Sequence, residues 1–196
     1  MAFLIVGLGN PGKKYEGTRH NIGFDFLSYL ASRYQIEFRK QSHWDALVGK
    51  GEVGSSSLVL MMPQTFMNES GRAVAPALHD LNVDLSRLLV VVDDVAIPMG
   101  QIRVKLNSGS GGHNGLKSVE QYLQTNRFAR LRLGVGDREE GDLSSHVLGK
   151  FSLEEQKIVP EMLERAMQAI DIWLNKGITS AMDFANRRPS NPGNGE

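Results

Sequence analysis

Residues 3–23, FLIVGLGNPGKKYEGTRHNIG, decide how the rest of the chain is read. Phe3-Leu4-Ile5-Val6 is a short apolar run, and four of the next six residues, Gly7 to Gly12, are glycine or proline. This pattern predicts a buried strand that stops in a tight loop. Tyr15, Arg19, His20 and Asn21 follow before the next apolar segment. Open α/β sheets bind ligands outside the carboxyl ends of their strands, so an active site is expected here.

Gly7-Leu8-Gly9-Asn10-Pro11-Gly12 also fits the spacing of a dinucleotide-binding loop. The context argues against that function. The helix such a loop must open would be broken by Gly17, and no second strand ending in an acid follows about 20 residues on.

The chain has 196 residues, enough for one domain with a substantial core. Lys+Arg and Asp+Glu are both 22, so a polyanion would have to meet a local basic patch. Cysteine is absent, which excludes thiol chemistry and fits a reducing cytoplasm. No apolar run approaches the roughly 20 residues of a membrane span. A cytoplasmic protein, not attached to a membrane, is the expectation.

Apolar residues at helical spacing predict a helix over 22–34, with Asn21 as its N-cap. Strands are expected over 43–48, 58–62 and 88–92, the last ending in Asp93-Asp94. A helix is expected after Gly71, with Pro76 in its first turns. Residues 101–106 and 130–136 alternate as strands. Arg103 with Lys105, and Arg130 with Arg132, fall on one side of each, either as a solvated face or as a phosphate-binding patch. The glycine-rich loop 107–115 leads into a helix ending at Leu123; Leu116 stands where a P-loop needs lysine. Residues 154–175 form a long amphipathic helix whose stripe, Ile158, Met162, Ala166, Ile170 and Trp173, reads as core. A shorter helix, 178–185, follows, and 188–196 read as a flexible tail. Alternating strands and helices predict one three-layer α/β domain over 1–187. Its twisted sheet is mixed but mostly parallel, with helices on both faces.

The polar groups expected at strand ends are Asn10, His20, Phe66 with Asn68, Asp93, and His113 with Asn114. A histidine is a natural general base near neutral pH, and an aspartate beside it can fix its tautomer. Asparagine amides can orient water or a carbonyl. No G-x-S-x-G elbow is present, and the five histidines have no metal-ligand spacing. Water activated by His20 is the remaining nucleophile. Asp93 and Asp94 also suit a plain turn, and His43, His79 and His146 carry no such context.

VGLGNPGKKYEGTRHNIG, PQTFMNESG, GSGGHNGLKS, RLRLGVG and VLGKFS occur in that order. Together they resemble the bacterial-type peptidyl-tRNA hydrolase family over roughly residues 4–152. The resemblance implies hydrolysis of the ester between a peptide and tRNA, which frees tRNA after aborted translation, with peptidyl-tRNA as partner. It implies no cofactor or metal, no stable protein partner and a monomer. His20 would be the base, Asp93 its partner, and Asn10 the residue that separates N-blocked from free aminoacyl-tRNA. Tyr15, Phe66, Met67, Asn68, His113 and Asn114 would contact substrate. Arg103, Lys105 and Arg132 would face tRNA phosphates; Arg130, from the strand alternation, and Lys117, beside the glycine-rich loop, are further phosphate-contact candidates read from the residues themselves. Some similar plant-organelle proteins assist RNA splicing without hydrolysis, but the intact Asn10, His20, Asn68 and Asp93 set argues against that here. After Asp93 the chain departs from the usual D-E-L-D-L-P, reading Asp93-Asp94-Val95-Ala96-Ile97-Pro98.

Overall fold

The computed structural model describes residues 1–137 and 141–187. The tail expected at 188–196 lies outside the described residues. The strands are β1 (Phe3–Gly7), β2 (Arg39–Gln41), β3 (Ala46–Val53), β4 (Ser56–Pro63), β5 (Leu88–Asp94), β6 (Ile102–Leu106) and β7 (Ala129–Gly134). The helices are α1 (Ile22–Tyr34), α2 (Ser70–Asp80), α3 (Asn114–Leu123), α4 (Leu143–Val147), α5 (Leu153–Lys176) and α6 (Ile178–Ala185). All seven strands form one sheet in the order β2-β3-β4-β1-β5-β7-β6. Its centre, β4, β1, β5 and β7, is parallel, while β3 and β6 pair antiparallel at the flanks. The expected mixed, mostly parallel sheet is therefore present as a parallel centre with antiparallel margins.

Alternation along the strands divides the core into two layers. Ile5, Leu60, Leu89 and Leu131 point to α1, α5 and α6, where Phe26, Ile170 and Trp173 meet them. Leu4, Val6, Met61 and Val90 point the other way, to α2 and α3, against Val74, Leu116 and Val119. Both faces are covered, which is why the central strands read as continuous apolar runs. In the α5 stripe Met162, Ala166, Ile170 and Trp173 are buried, but Ile158, in the second turn of the helix, is exposed.

Three local expectations change. Residues 42–44 form a 3-10 turn instead of starting a strand, and β2 precedes them. Pro76 lies in the middle of α2, where the missing N–H leaves the carbonyl of solvent-facing Arg72 without its usual helix partner. Asn21 does not cap α1 with its side chain, which is used elsewhere.

The β1-to-α1 connection requires glycine. A Cβ at Gly23 would sit 2.6 Å from the Leu8 carbonyl oxygen and 2.8 Å from that of Val91. The helix start thus packs directly on the backbone of two parallel strands. Gly23→Ala is expected to lower the unfolding free energy by about 1–3 kcal/mol through overpacking. Urea denaturation measures this; an unchanged midpoint would contradict the close approach.

Candidate active site

The ends of β1, β4 and β5 are neighbours because β1 lies between the other two. Chain following each strand end converges on one cleft of about 560 Å³. Asn10 comes from the loop after β1, His20 from a 3-10 turn just before α1, and Asp93 from the end of β5. Phe66, Met67 and Asn68 follow β4, and His113 and Asn114 open α3. All eight line the cleft.

Asp93 is the centre of the arrangement. His20 Nδ1 lies 2.9 Å from Asp93 Oδ1 and 3.0 Å from Oδ2. His113 Nε2 reaches Oδ1 at 2.9 Å. One buried carboxylate therefore serves two imidazoles. The tautomers follow from the partners. His113 Nδ1 accepts from the backbone N–H groups of Gly115 and Leu116, at 3.1 and 3.3 Å, and so caps α3. It carries no proton, so Nε2–H donates to Asp93. His20 donates Nδ1–H to the same carboxylate, which leaves its Nε2 lone pair directed away from Asp93. His20 is only partly buried, so that nitrogen is within reach of the cleft.

Burial alone would raise the Asp93 pKa, but the N–H groups that His113 and then His20 direct at its oxygens outweigh burial and hold the carboxyl well below the ordinary carboxylate range. His20, Asp93 and His113 have potential ligand atoms within 4.8 Å of one another. A metal fits this set poorly. Both nearby imidazole nitrogens carry protons, and freeing His113 Nε2 would move a proton onto Nδ1, ending its cap on α3.

Asn10 is held at three points. Its N–H donates to Asn21 Oδ1 and its carbonyl accepts from Asn21 Nδ2, both at 2.9 Å. Its Oδ1 accepts from the Met67 N–H at 2.8 Å. That last bond fixes the amide orientation, so the Asn10 NH₂ is the end left for a ligand. Asn68 and Asn114 are exposed at the cleft, Met67 is buried in its wall, and Phe66 is 54% exposed.

Other predicted residues lie apart. Tyr15, partly exposed beneath Lys14, does not line the cleft, nor do Arg103, Lys105 or Lys117. Arg130 does not fit a phosphate-facing role. It is fully buried, stacked on Phe128, and donates to Glu120 and to the carbonyls of Asn126 and Phe128. Arg132 lies at the cleft wall, with its terminal nitrogens committed to Asp94 and the Gly109 carbonyl. Alternation correctly puts these arginines on one face, but α3 and the glycine-rich loop cover it. Asp94 also accepts from the Ala96 N–H, forming the turn at the departure after Asp93.

Sequence reading missed two contributors. The first is Asn21. The second is α4, whose Leu143, Ser144 and Val147 form the opposite wall of the cleft. Its signal was Asp142 before an apolar i, i+4 pair, and Asp142 does cap the helix. Arg19 anchors the far side of α4, donating to the His146 and Lys150 carbonyls and pairing with Glu155 at 2.6 Å.

The profile of the peptidyl-tRNA hydrolase family matches residues 4–192. The chain belongs to the peptidyl-tRNA hydrolase family. It is 46% identical over 183 residues to the peptidyl-tRNA hydrolase of Alkaliphilus oremlandii, covering 93% of this chain and 98% of that one. The counterpart from Parasynechococcus marenigrum is also 46% identical, with 93% of each covered. The crystal structure of peptidyl-tRNA hydrolase from Acinetobacter baumannii superimposes with a TM-score of 0.89 at 34% identity over 94% of each chain. As a bacterial-type member of that family, the protein is a hydrolase. Among the described residues, no helix is long and apolar enough to cross a membrane.

The depressed Asp93 pKa gives a pH signature. Its folded value lies below the unfolded value of about 3.9, so its stabilisation is present above roughly pH 4 and lost as pH falls towards the folded value. The stability gap between wild type and Asp93→Asn should therefore shrink on acidification below about pH 4. Urea titrations at several pH values measure it; a constant gap would contradict the assignment.

Proposed function

We propose that the chain hydrolyses the ester joining a peptide, or an N-blocked aminoacyl group, to the terminal ribose of tRNA. The observation that carries this reading is that His20, with Nδ1 held by Asp93 and Nε2 turned away from it, shares a cleft with the fixed Asn10 amide. His20 Nε2 removes a proton from water as the oxygen adds to the ester carbonyl. Asp93 stabilises the imidazolium that forms. The tetrahedral intermediate collapses, the carbonyl re-forms, and the ribose oxygen leaves with the proton from His20. Free tRNA is then available for reuse.

Asn10 offers N–H donors, because its oxygen is already bonded to Met67. An N-acyl carbonyl can accept from them. A free α-ammonium has only donors of its own, so donor would face donor. This supports selection for the blocked substrate. Exposed Asn68 and Asn114 hold further carbonyls or the attacking water, and Phe66, Met67 and α4 supply apolar walls. Tyr15, at the edge of the same loop, contacts substrate outside the cleft.

Arg103, Lys105 and Lys117 retain solvent exposure and serve as tRNA phosphate contacts. Arg132 instead holds the loop that carries His113. No cofactor is needed for these steps.

The test is release of N-acetyl-aminoacyl groups from tRNA. Wild type should cleave the blocked substrate and spare unblocked aminoacyl-tRNA. His20→Ala should lose at least about a hundredfold in kcat. Tight tRNA binding without cleavage would overturn the reading. Arg103→Ala and Lys105→Ala should each reduce the slope of log affinity against log salt by about one. An unchanged slope would remove these residues from the phosphate patch.

A further inference from the structure

Asn21 is 3% exposed, and both functional ends of its amide are spent on the backbone of a single residue, Asn10. Oδ1 accepts the Asn10 N–H and Nδ2 donates to the Asn10 carbonyl, each at 2.9 Å. Asn21 is also the residue after His20 and shares its 3-10 turn, Arg19–Asn21. One side chain therefore ties the segment carrying the base to the segment carrying the Asn10 amide. Helix capping does not account for it, because the side chain makes no cap bond to α1.

We propose that Asn21 is a positioning residue that fixes the Asn10 amide relative to His20 Nε2. The inference rests on the roles given above to His20 and Asn10. Asn10 has one further side-chain restraint, the bond from Met67 N–H to its Oδ1. That bond orients the amide but does not connect it to the turn of His20. Among the described residues no other hydrogen bond joins Asn10 to the 3-10 turn, so without the clamp their spacing rests on covalent chain and packing. The bound carbonyl then no longer has a fixed distance from the activated water, and small misplacements of this kind are costly to the chemical step.

The test is a double-mutant cycle on the full-length protein with N-acetyl-aminoacyl-tRNA as substrate. Asn21→Ala should lower kcat by between about tenfold and a hundredfold. The Kd for deacylated tRNA should stay within about twofold, because that affinity comes mainly from phosphate contacts. The mutant should also discriminate less between blocked and free aminoacyl-tRNA. Asn10→Ala/Asn21→Ala should be no slower than Asn10→Ala alone, because the clamp acts only through Asn10.

Asn21→Asp keeps an acceptor for the Asn10 N–H and loses the donor to its carbonyl. It provides the same readouts if the alanine variant does not fold. Additive losses in the double mutant, or full kcat and unchanged selectivity in both Asn21 variants, would overturn the proposal while leaving the catalytic reading intact. Full activity and selectivity in Asn10→Ala would overturn the role of Asn10 itself, and the positioning role with it.

Discussion

Asp93 accepts hydrogen bonds from two imidazoles, and the site depends on that shared carboxylate. It needs a buried carboxyl at the end of a central strand, where water does not compete for its oxygens. It also needs each histidine to arrive with a proton on the nitrogen that faces it. The cap on α3 meets that need for His113, because two backbone N–H groups occupy Nδ1. His20 gives its Nδ1–H to the same carboxylate and turns Nε2 away from it. A helix terminus, a strand end and the protonation pattern of the site are thus one connected arrangement.

The fold supplies these groups through strand order. With β1 between β4 and β5, the loops after three parallel strands are neighbours in space although their residues are far apart in sequence. Gly23 lets α1 start against the strand backbones, which brings the turn of His20 to Asp93. Arg19, next to the base, fastens the segment that follows α4. Placement of the base and of the opposite cleft wall therefore runs through adjacent residues.

Much of this was legible in the sequence for physical reasons. Runs such as Leu88–Val92 are apolar on both faces because helices cover both faces of the sheet. Polar residues that follow such runs lie beyond the carboxyl ends of parallel strands, which located Asn10, Asn68 and Asp93 together. His113 arrives differently, because β6 runs antiparallel to β7 and finishes at the opposite end of the sheet, so the glycine-rich loop carries the chain back to Asp93. What covers a given face was not legible. Arg130 and Arg132 alternate like solvent-facing residues, and only the return of α3 and the glycine-rich loop buries them. Asn21 has the sequence pattern of a helix cap, yet its amide is drawn to Asn10, a partner set by the close approach of loop and helix. Strand β2 is short, polar and at the sheet edge, so it lacks the apolar pattern that marks the others.

The tautomeric state of the two histidines tests the account most directly. Nitrogen-15 NMR of the imidazoles at neutral pH, assigned through His20→Ala and His113→Ala, reports it. The account predicts a proton on His20 Nδ1 with Nε2 bare, and a proton on His113 Nε2 with Nδ1 bare. A neutral His20 protonated at Nε2 would contradict it, since the nitrogen assigned as the base would already hold a proton.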